Sequence, residues 1–218
     1  QLTDPDGAAS REEQRRMFAE EVGYAEQWAE AADRRLEKML RNSPDLLNAK
    51  QGKYTPLDKA ASEGRVAVLK YLLDNGADVS TSEPLHFAAQ EGHRAAVEFL
   101  LSRGLPVDGR SRDGLTPLHV ALGENRKVVA EVLLKAGASV GARRPGAPIL
   151  SDNRRHDRLP DREGTPLHWA ALLGQVPLID LLLQYKADIQ ATNGAGSTPL
   201  HVRSEEHTSE LQSRGLIS

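Results

Sequence analysis

Residues 165–168 read Thr-Pro-Leu-His, and this short stretch decides the fold because it recurs along the chain. Related openings stand at 55–58, 83–86, 116–119 and 198–201. Their prolines lie at positions 56, 84, 117, 166 and 199, so the spacings are 28, 33, 49 and 33 residues. Self-similarity at a period of about 20–50 residues is the sequence signature of a repeat architecture. The chain is therefore predicted to be an array of similar units.

Each opening except the last continues in the same way. An Ala pair, or Ala-Leu in one copy, follows at 60–61, 88–89, 121–122 and 170–171. A chain-reversal residue comes next, at Gly64, Gly92, Asn125 and Gly174. A Leu pair follows at 72–73, 100–101, 133–134 and 182–183. Each copy closes on Gly-Ala-Asp-Val or a relative, starting at Gly76, Gly104, Gly137 and Lys186.

Elementary physical chemistry gives this pattern a structure. Thr is a favourable N-cap, and Pro is well tolerated at the first helical position, where its missing N–H has no intrahelical acceptor to lose. The Ala pair lets a short first helix approach its neighbour closely. Gly or Asn accommodates the left-handed conformation that ends this helix, and the Leu pair supplies the apolar stripe of a second helix. Because neither helix buries its apolar face alone, neighbouring copies are predicted to stack.

The string Thr-Pro-Leu-His, Ala-Ala, Gly, Leu-Leu, Gly-Ala-Asp-Val resembles the ankyrin repeat family over roughly residues 48–202. Two of the spacings equal the period of about 33 residues that marks this family. The resemblance implies an all-α solenoid of stacked helix-turn-helix units with hairpin loops. It covers four full repeats and the start of a fifth. Asp58 in place of His, Glu83 in place of Thr and Lys186 in place of Gly depart from the pattern.

Residues 1–47 are predicted to form an N-terminal helical cap or a degenerate repeat. Ser10 to Glu13 is a capping-box pattern. Apolar residues then recur every three or four positions up to Met39, and Asn42-Ser43-Pro44 is a stop signal. The alternative to a cap that seals the array is a partner-binding or self-associating helix.

The run from Arg203 to Ser213 breaks the repeat where the fifth Ala pair is expected. It resembles a frame translation of a common sequencing adapter, so we expect residues 203–218 to be a non-native tail. The chain starts with Gln rather than Met. We therefore expect a fragment or processed piece, an interpretation that leaves room for a lost targeting signal.

The long spacing of 49 residues reflects a loop insertion at about 141–161. The insertion carries five arginines, at Arg143, Arg144, Arg154, Arg155 and Arg158. A surface loop is lengthened at small thermodynamic cost, so a tolerated insertion is one interpretation. A docking loop for an acidic or phosphorylated partner is another, and a proline-rich ligand around residues 145–148 is a third.

Composition restricts the classes of function. The formal charge of −3 and an aromatic content of 4% argue against a nucleic-acid-binding surface. The chain has no Cys, which removes disulfides, thiolate metal sites and Cys nucleophiles and fits a cytoplasmic location. No apolar run is long enough to span a bilayer.

The histidines do not suggest catalysis or a metal site. The family resemblance assigns a structural role to His86, His119, His168 and His201, which typically hydrogen-bond neighbouring hairpins. His156 lies beside Asp157 in the insertion without a positioned nucleophile. Gly194 to Ser197 lacks the Lys of a phosphate-binding loop and is predicted to be a hairpin tip. We expect no cofactor and no enzymatic activity.

The resemblance implies a protein–protein interaction module, a scaffold or adaptor, that acts as a monomeric array on an unidentified protein. Its hairpin tips and concave first helices carry the candidate contact residues Gln51, Lys53, Lys59, Arg112, Asp113, Leu115, Val120, Leu122, Arg162, Glu163, Trp169 and Leu172. Trp169 is the leading candidate, because Trp is enriched at interface hot spots; the alternative is that it packs between first helices. A second hypothesis is a regulatory or targeting segment of a larger enzyme or channel.

Overall fold

A computed structural model describes residues 16–17, 42–50, 52, 54–143 and 163–203. The chain divides into two compact units, Gln1–Ala88 and Ala89–Ser218. A 3-10 helix spans Pro44–Asn48. The α-helices are α1 Pro56–Ser62, α2 Val66–Asp74, α3 Pro84–Glu91, α4 Arg94–Ser102, α5 Pro117–Gly123, α6 Lys127–Lys135, α7 Pro166–Leu172 and α8 Val176–Gln184. No strand occurs within the described ranges, and the predicted all-α repeat fold is confirmed.

The predicted helix starts are confirmed at three first helices. Thr55, Thr116 and Thr165 are N-caps with extended backbone, and a Pro occupies the first helical turn after each. In α1 the Thr55 hydroxyl accepts the Asp58 N–H at 3.1 Å, while the Thr55 N–H donates to Asp58 Oδ2 at 2.9 Å. This reciprocal capping satisfies two of the N–H groups that a helix start leaves without partners.

The chain-reversal residues adopt the left-handed conformation that the sequence predicts. Their φ angles are 72° at Gly64, 86° at Gly92, 56° at Asn125 and 65° at Gly174. Lys186 also has a positive φ of 61°, at the exit where other copies have Gly. A β-carbon makes this conformation unfavourable, so Lys186 is a strained position.

The side chains after two of the reversals tie their copies to the preceding ones in the 89–218 unit. Arg126 Nε donates to the carbonyl of Gln90 at 2.9 Å, and Gln175 Nε2 donates to the carbonyl of Leu122 at 2.8 Å. Both acceptors lie at the end of a first helix, where carbonyl groups lack intrahelical partners. These bonds hold successive first helices in register.

Apolar packing follows the predicted stripes within each unit. In the 89–218 unit, α5 packs against α6 and α7, and α6 packs against α4 and α8. In the 1–88 unit, α1 packs against α2 and the 3-10 helix. The fully buried Leu side chains are Leu57, Leu69, Leu72, Leu100, Leu118, Leu122, Leu133, Leu178 and Leu182. Each contributes about 1.5–3 kcal/mol relative to full exposure.

Several predictions fall on parts of the chain that the structure does not describe. These are most of the N-terminal helix, residues 144–162 of the insertion, and the tail from residue 204. Arg16, Met17 and Asn42 are described and are helical. None of the helices within the described ranges combines the length and apolarity that a bilayer crossing needs.

Candidate partner-binding surface

The hairpin between α4 and α5 presents two charged side chains at its tip. The Gly114 N–H donates to the Ser111 carbonyl at 2.8 Å, and the Ser111 N–H donates to the Leu115 carbonyl at 2.9 Å. Gly114 has a φ of 74°, which allows the chain to reverse within this short loop. The turn leaves Arg112 exposed and Asp113 partly exposed. These two predicted contact residues therefore lie on accessible surface.

The hairpin after α8 has the same geometry without charge. The Asn193 N–H donates to the Ser197 carbonyl at 2.9 Å, and the Gly196 N–H donates to the Asn193 carbonyl at 3.0 Å. Asn193 Oδ1 also accepts the N–H groups of Ala195 and Ser197 at 3.0 and 2.8 Å. Residues 194–197 are thus a hairpin turn, as predicted. Their small side chains offer a partner little beyond backbone groups.

Arg110 joins its own hairpin to the loop after α6 and was missed by the sequence reasoning. Its Nη1 donates to the Gly114 carbonyl of its own hairpin at 2.9 Å and to the Arg143 carbonyl of that loop at 2.8 Å. Both Arg110 and Arg143 are exposed. The available signal was the pair of arginines on either side of Ser111, which places two cations on one short loop.

Buried histidines support these hairpins from inside. The Thr165 N–H donates to His168 Nδ1 at 3.2 Å, so Nε2 carries the proton and donates to the Ser197 carbonyl at 3.0 Å. His168 therefore joins the start of α7 to the following hairpin. His86 and His119 are also buried, whereas His201 is exposed and contacts Thr198 Oγ1 at 2.9 Å.

Asp58 takes the place of this histidine in the first copy and makes different hydrogen bonds. Its Oδ1 accepts the Glu83 N–H at 2.6 Å, in addition to the bond from Thr55 to Oδ2. Burial raises the pKa of the Asp58 carboxyl above its usual value, because a low-dielectric surrounding disfavours the ionised form. The backbone N–H bonds oppose this shift without cancelling it.

The structure places four predicted contact residues in the core. Leu115, Val120 and Trp169 form one apolar cluster, with exposures of 4%, 5% and 0%, and Leu172 packs partly buried against it. The Trp169 ring meets His119 edge-on with centroids 5.3 Å apart. Leu122 has 0% exposure. A side chain without accessible surface cannot touch a partner, so this burial corrects the expectation of direct contact for Leu115, Val120, Leu122 and Trp169.

The other predicted contact residues divide into two groups. Lys59 is partly exposed and forms an ion pair with Glu63 at 2.6 Å, and Glu163 is exposed. Outside the described residues lie Gln51, Lys53, Arg162, Arg144, Arg154, Arg155 and Arg158. The described candidate residues are therefore Lys59 in the 1–88 unit and, in the 89–218 unit, Arg112, Asp113, Arg143, Glu163 and part of Leu172, together with the newly found Arg110.

A cavity of about 150 Å³ lies between the second helices α4 and α6. Two ion pairs line it, Arg94 Nε to Glu98 Oε1 at 2.8 Å and Lys135 Nζ to Glu131 Oε1 at 2.6 Å. Pairing with Lys135 lowers the pKa of Glu131. Pairing with Glu98 raises the pKa of Arg94, and pairing with Glu131 raises the pKa of Lys135. The charged forms of Glu131, Arg94 and Lys135 are thus stabilised, which does not favour proton transfer.

Within the described ranges, no group of three or more His, Asp or Glu side chains is arranged to hold a metal ion.

Comparison with known proteins agrees with the repeat pattern. A family model of ankyrin repeats in three copies matches residues 80–144, and a second, of many copies, matches residues 57–101 and 167–202. A stretch of 48 residues is 48% identical to the ARF GTPase-activating protein Git of Drosophila melanogaster. That stretch covers 22% of this chain and 7% of the relative. Since the family models match more than half of the sequence, the chain belongs to the ankyrin repeat family.

Proposed function

We propose that this chain is a protein–protein interaction module, a scaffold or adaptor without catalytic activity of its own. The observation that carries the proposal is the charged tip of the hairpin between α4 and α5. Arg112 and Asp113 are held there by a hydrogen-bonded turn, and buried histidine and leucine side chains support the helices behind it. Loops on a rigid scaffold are the usual position of binding residues.

The proposed division of the chain into regions rests on its sequence pattern. Residues 1–47 are a helical cap or degenerate repeat, residues 48–202 are the repeat domain with its insertion at about 141–161, and residues 203–218 are a non-native tail. We propose a monomeric array in the cytoplasm that binds neither nucleic acid nor a cofactor. Charge and aromatic content support the expected lack of nucleic-acid binding, since the chain is slightly acidic and has few aromatic rings.

A second proposal is that the array is a regulatory or targeting segment of a larger enzyme. The match to a GTPase-activating protein favours it, because the matched region is only 7% of that relative. Under this proposal the partner-binding surface is unchanged, and its role is to recruit or position a catalytic domain elsewhere in the same polypeptide. The coding sequence in the source material beyond Val202 distinguishes the two proposals.

The test compares affinity capture by the full chain with capture by two charge-swap variants of unchanged net charge. One swaps the hairpin tip, Arg112→Glu with Asp113→Lys. The control swaps an ion pair on α6, Glu131→Lys with Lys135→Glu, which keeps opposite charges at the two positions. Proteins captured by wild type and control but lost by the tip swap, and then shown to bind by calorimetry with purified components, support the proposal. Equal losses in both variants contradict it.

A further inference from the structure

Arg110, in the hairpin before α5, and Arg143, in the loop after α6, are held close together in the 89–218 unit. The guanidinium of Arg110 donates to the backbone carbonyl of Arg143 at 2.8 Å and to that of Gly114 at 2.9 Å. These two bonds hold the exposed Arg110 side chain against the backbone at Arg143. The tip residue Arg112 lies in the same turn and is exposed.

Among the described residues, Arg110 and Arg143 have no bonding partner that neutralises their positive charge. Both acceptors of Arg110 are neutral carbonyl groups, and among the described residues neither Arg110 nor Arg143 has a carboxylate partner. The nearby Asp108 carboxylate accepts the Ser139 N–H through both oxygens, at 3.0 and 3.2 Å, and is therefore engaged elsewhere. Asp113, at the tip, is the other acidic residue of this hairpin.

Two other described hairpin tips carry no positive charge. The hairpin before α3 turns through Ser80, Thr81 and Ser82, and the one after α8 turns through residues 193–197, with no charged side chain in either stretch. The chain as a whole has a formal charge of −3. Local positive charge on an acidic molecule steers a complementary segment to one place rather than to the general surface.

We propose that Arg110, Arg112 and Arg143 receive an acidic segment of the partner protein, with successive Asp or Glu side chains. This inference rests on the proposed function, since it names the chemistry of the partner for the same surface. A guanidinium presents a planar fork of N–H donors that matches a carboxylate, and such charge-assisted bonds are stronger than neutral ones. Arg110 is already oriented by two carbonyls, so less side-chain freedom is lost when a carboxylate binds it.

The probe is a fluorescently labelled oligoglutamate peptide, titrated with the full chain and followed by fluorescence anisotropy. Wild type is expected to bind it and to ignore an oligolysine peptide of the same length. Arg143→Gln is the key variant, because the contact with Arg110 uses the Arg143 backbone and survives the substitution. We expect Arg143→Gln and Arg110→Gln each to weaken binding by about tenfold, the scale of one charge-assisted hydrogen bond.

Lys70→Gln and Lys127→Gln are the controls, since each removes one exposed positive charge from a helix rather than from the loops that carry Arg110 and Arg143. Unchanged peptide affinity in both controls is expected. Equal weakening in controls and arginine variants, no binding of oligoglutamate, or tighter binding of a single-stranded oligonucleotide would each overturn the inference. If Arg143→Gln leaves peptide binding unchanged while the tip swap still abolishes partner capture, the acidic-ligand inference fails and the interaction function stands.

Discussion

The third and fifth copies open with the same pentapeptide, Thr-Pro-Leu-His-Val, at 116–120 and 198–202. Their local structures agree. Each is helical from its Pro, and the Thr hydroxyl lies 2.8 Å from the His Nδ1 in one copy and 2.9 Å in the other. The burial of the Leu does not agree, because Leu118 has 0% exposure and Leu200 has 77%, although Val120 and Val202 are both buried. Identical sequence therefore gives the same Thr–His contact and different burial of the Leu and His side chains.

The difference lies in the elements that cover each pentapeptide. In the third copy α6 returns against α5, and α7 covers α5 from the next copy. After the fifth pentapeptide the described residues end at Arg203, and no second helix comes after it among them. Capping is encoded within five residues, whereas burial of the Leu and His depends on neighbouring elements, as expected for a repeat array.

The largest expected effect is the contrast between Leu118→Ala and Leu200→Ala. Removing the buried Leu118 side chain leaves a cavity, so we expect the free energy of unfolding to fall by about 2–5 kcal/mol. Leu200→Ala is expected to change it by less than about 0.5 kcal/mol, because an exposed side chain has little packing to lose. Urea denaturation followed by far-UV circular dichroism measures both. Equal losses would show that Leu200 is packed in solution.

The histidine position provides a second, smaller contrast. His168→Ala removes the acceptor of the Thr165 N–H, in a buried hydrogen bond, and the donor to the Ser197 carbonyl, in a partly buried one. We expect a loss of about 1–3 kcal/mol in the free energy of unfolding. His201→Ala, at an exposed site, is expected to have little effect. A His201 variant as unstable as the His168 variant would refute the view that burial makes the histidine structural.

Asp58 occupies the histidine position of the repeat opening in the first copy, and its ionisation makes the stability of the fold depend on pH. The folded-state pKa of Asp58 is raised by burial, so its contribution to stability is fully present below the unfolded pKa of about 3.9 and is lost as the pH rises through the folded value. The difference in unfolding free energy between wild type and the non-titrating Asp58→Asn is therefore expected to be larger near pH 4 than at pH 7. Urea titrations at a series of pH values check this, and a difference that grows with pH would contradict it.

The exit of the fourth copy gives the smallest expected effect. Lys186 has a φ of 61°, whereas the corresponding exit of the third copy uses Gly137 with a φ of 90°. Lys186→Gly removes the strain of a β-carbon in the left-handed region, and we expect stabilisation by about 0.5–1 kcal/mol. Thermal unfolding of this variant beside Asn125→Gly, where Asn tolerates the conformation better, provides the measurement. No gain for Lys186→Gly would mean that the strain is relieved by its surroundings.

Local features of the fold were predictable because short stretches of sequence encode them. Thr116 and Pro117 specify a helix start, and Gly64 or Asn125 specifies a reversal, by steric and hydrogen-bonding rules that act within a few residues. The candidate surface was predicted less well. Arg112 lies on the surface as expected, because a turn exposes its tip.

Contacts between copies were predicted less well than local structure. Trp169 is buried against Leu115 and Val120, which is the packing alternative that the sequence left open beside a role in binding. Arg110 reaches a carbonyl 33 residues away at Arg143. Neither arrangement can be deduced from local propensity, since both depend on how one copy packs on the next and on which side chain fills the space between them.

Native-state amide hydrogen exchange, read by mass spectrometry, tests the central claim most directly: the repeat opening is a stable core element only where a second helix covers it. Local stability sets the exchange rate of each amide. We predict strong protection for residues 117–122 and rapid exchange for residues 199–203, despite their shared sequence. Equal protection of the two stretches would contradict the account, because it would mean that the fifth opening is packed as firmly as the third.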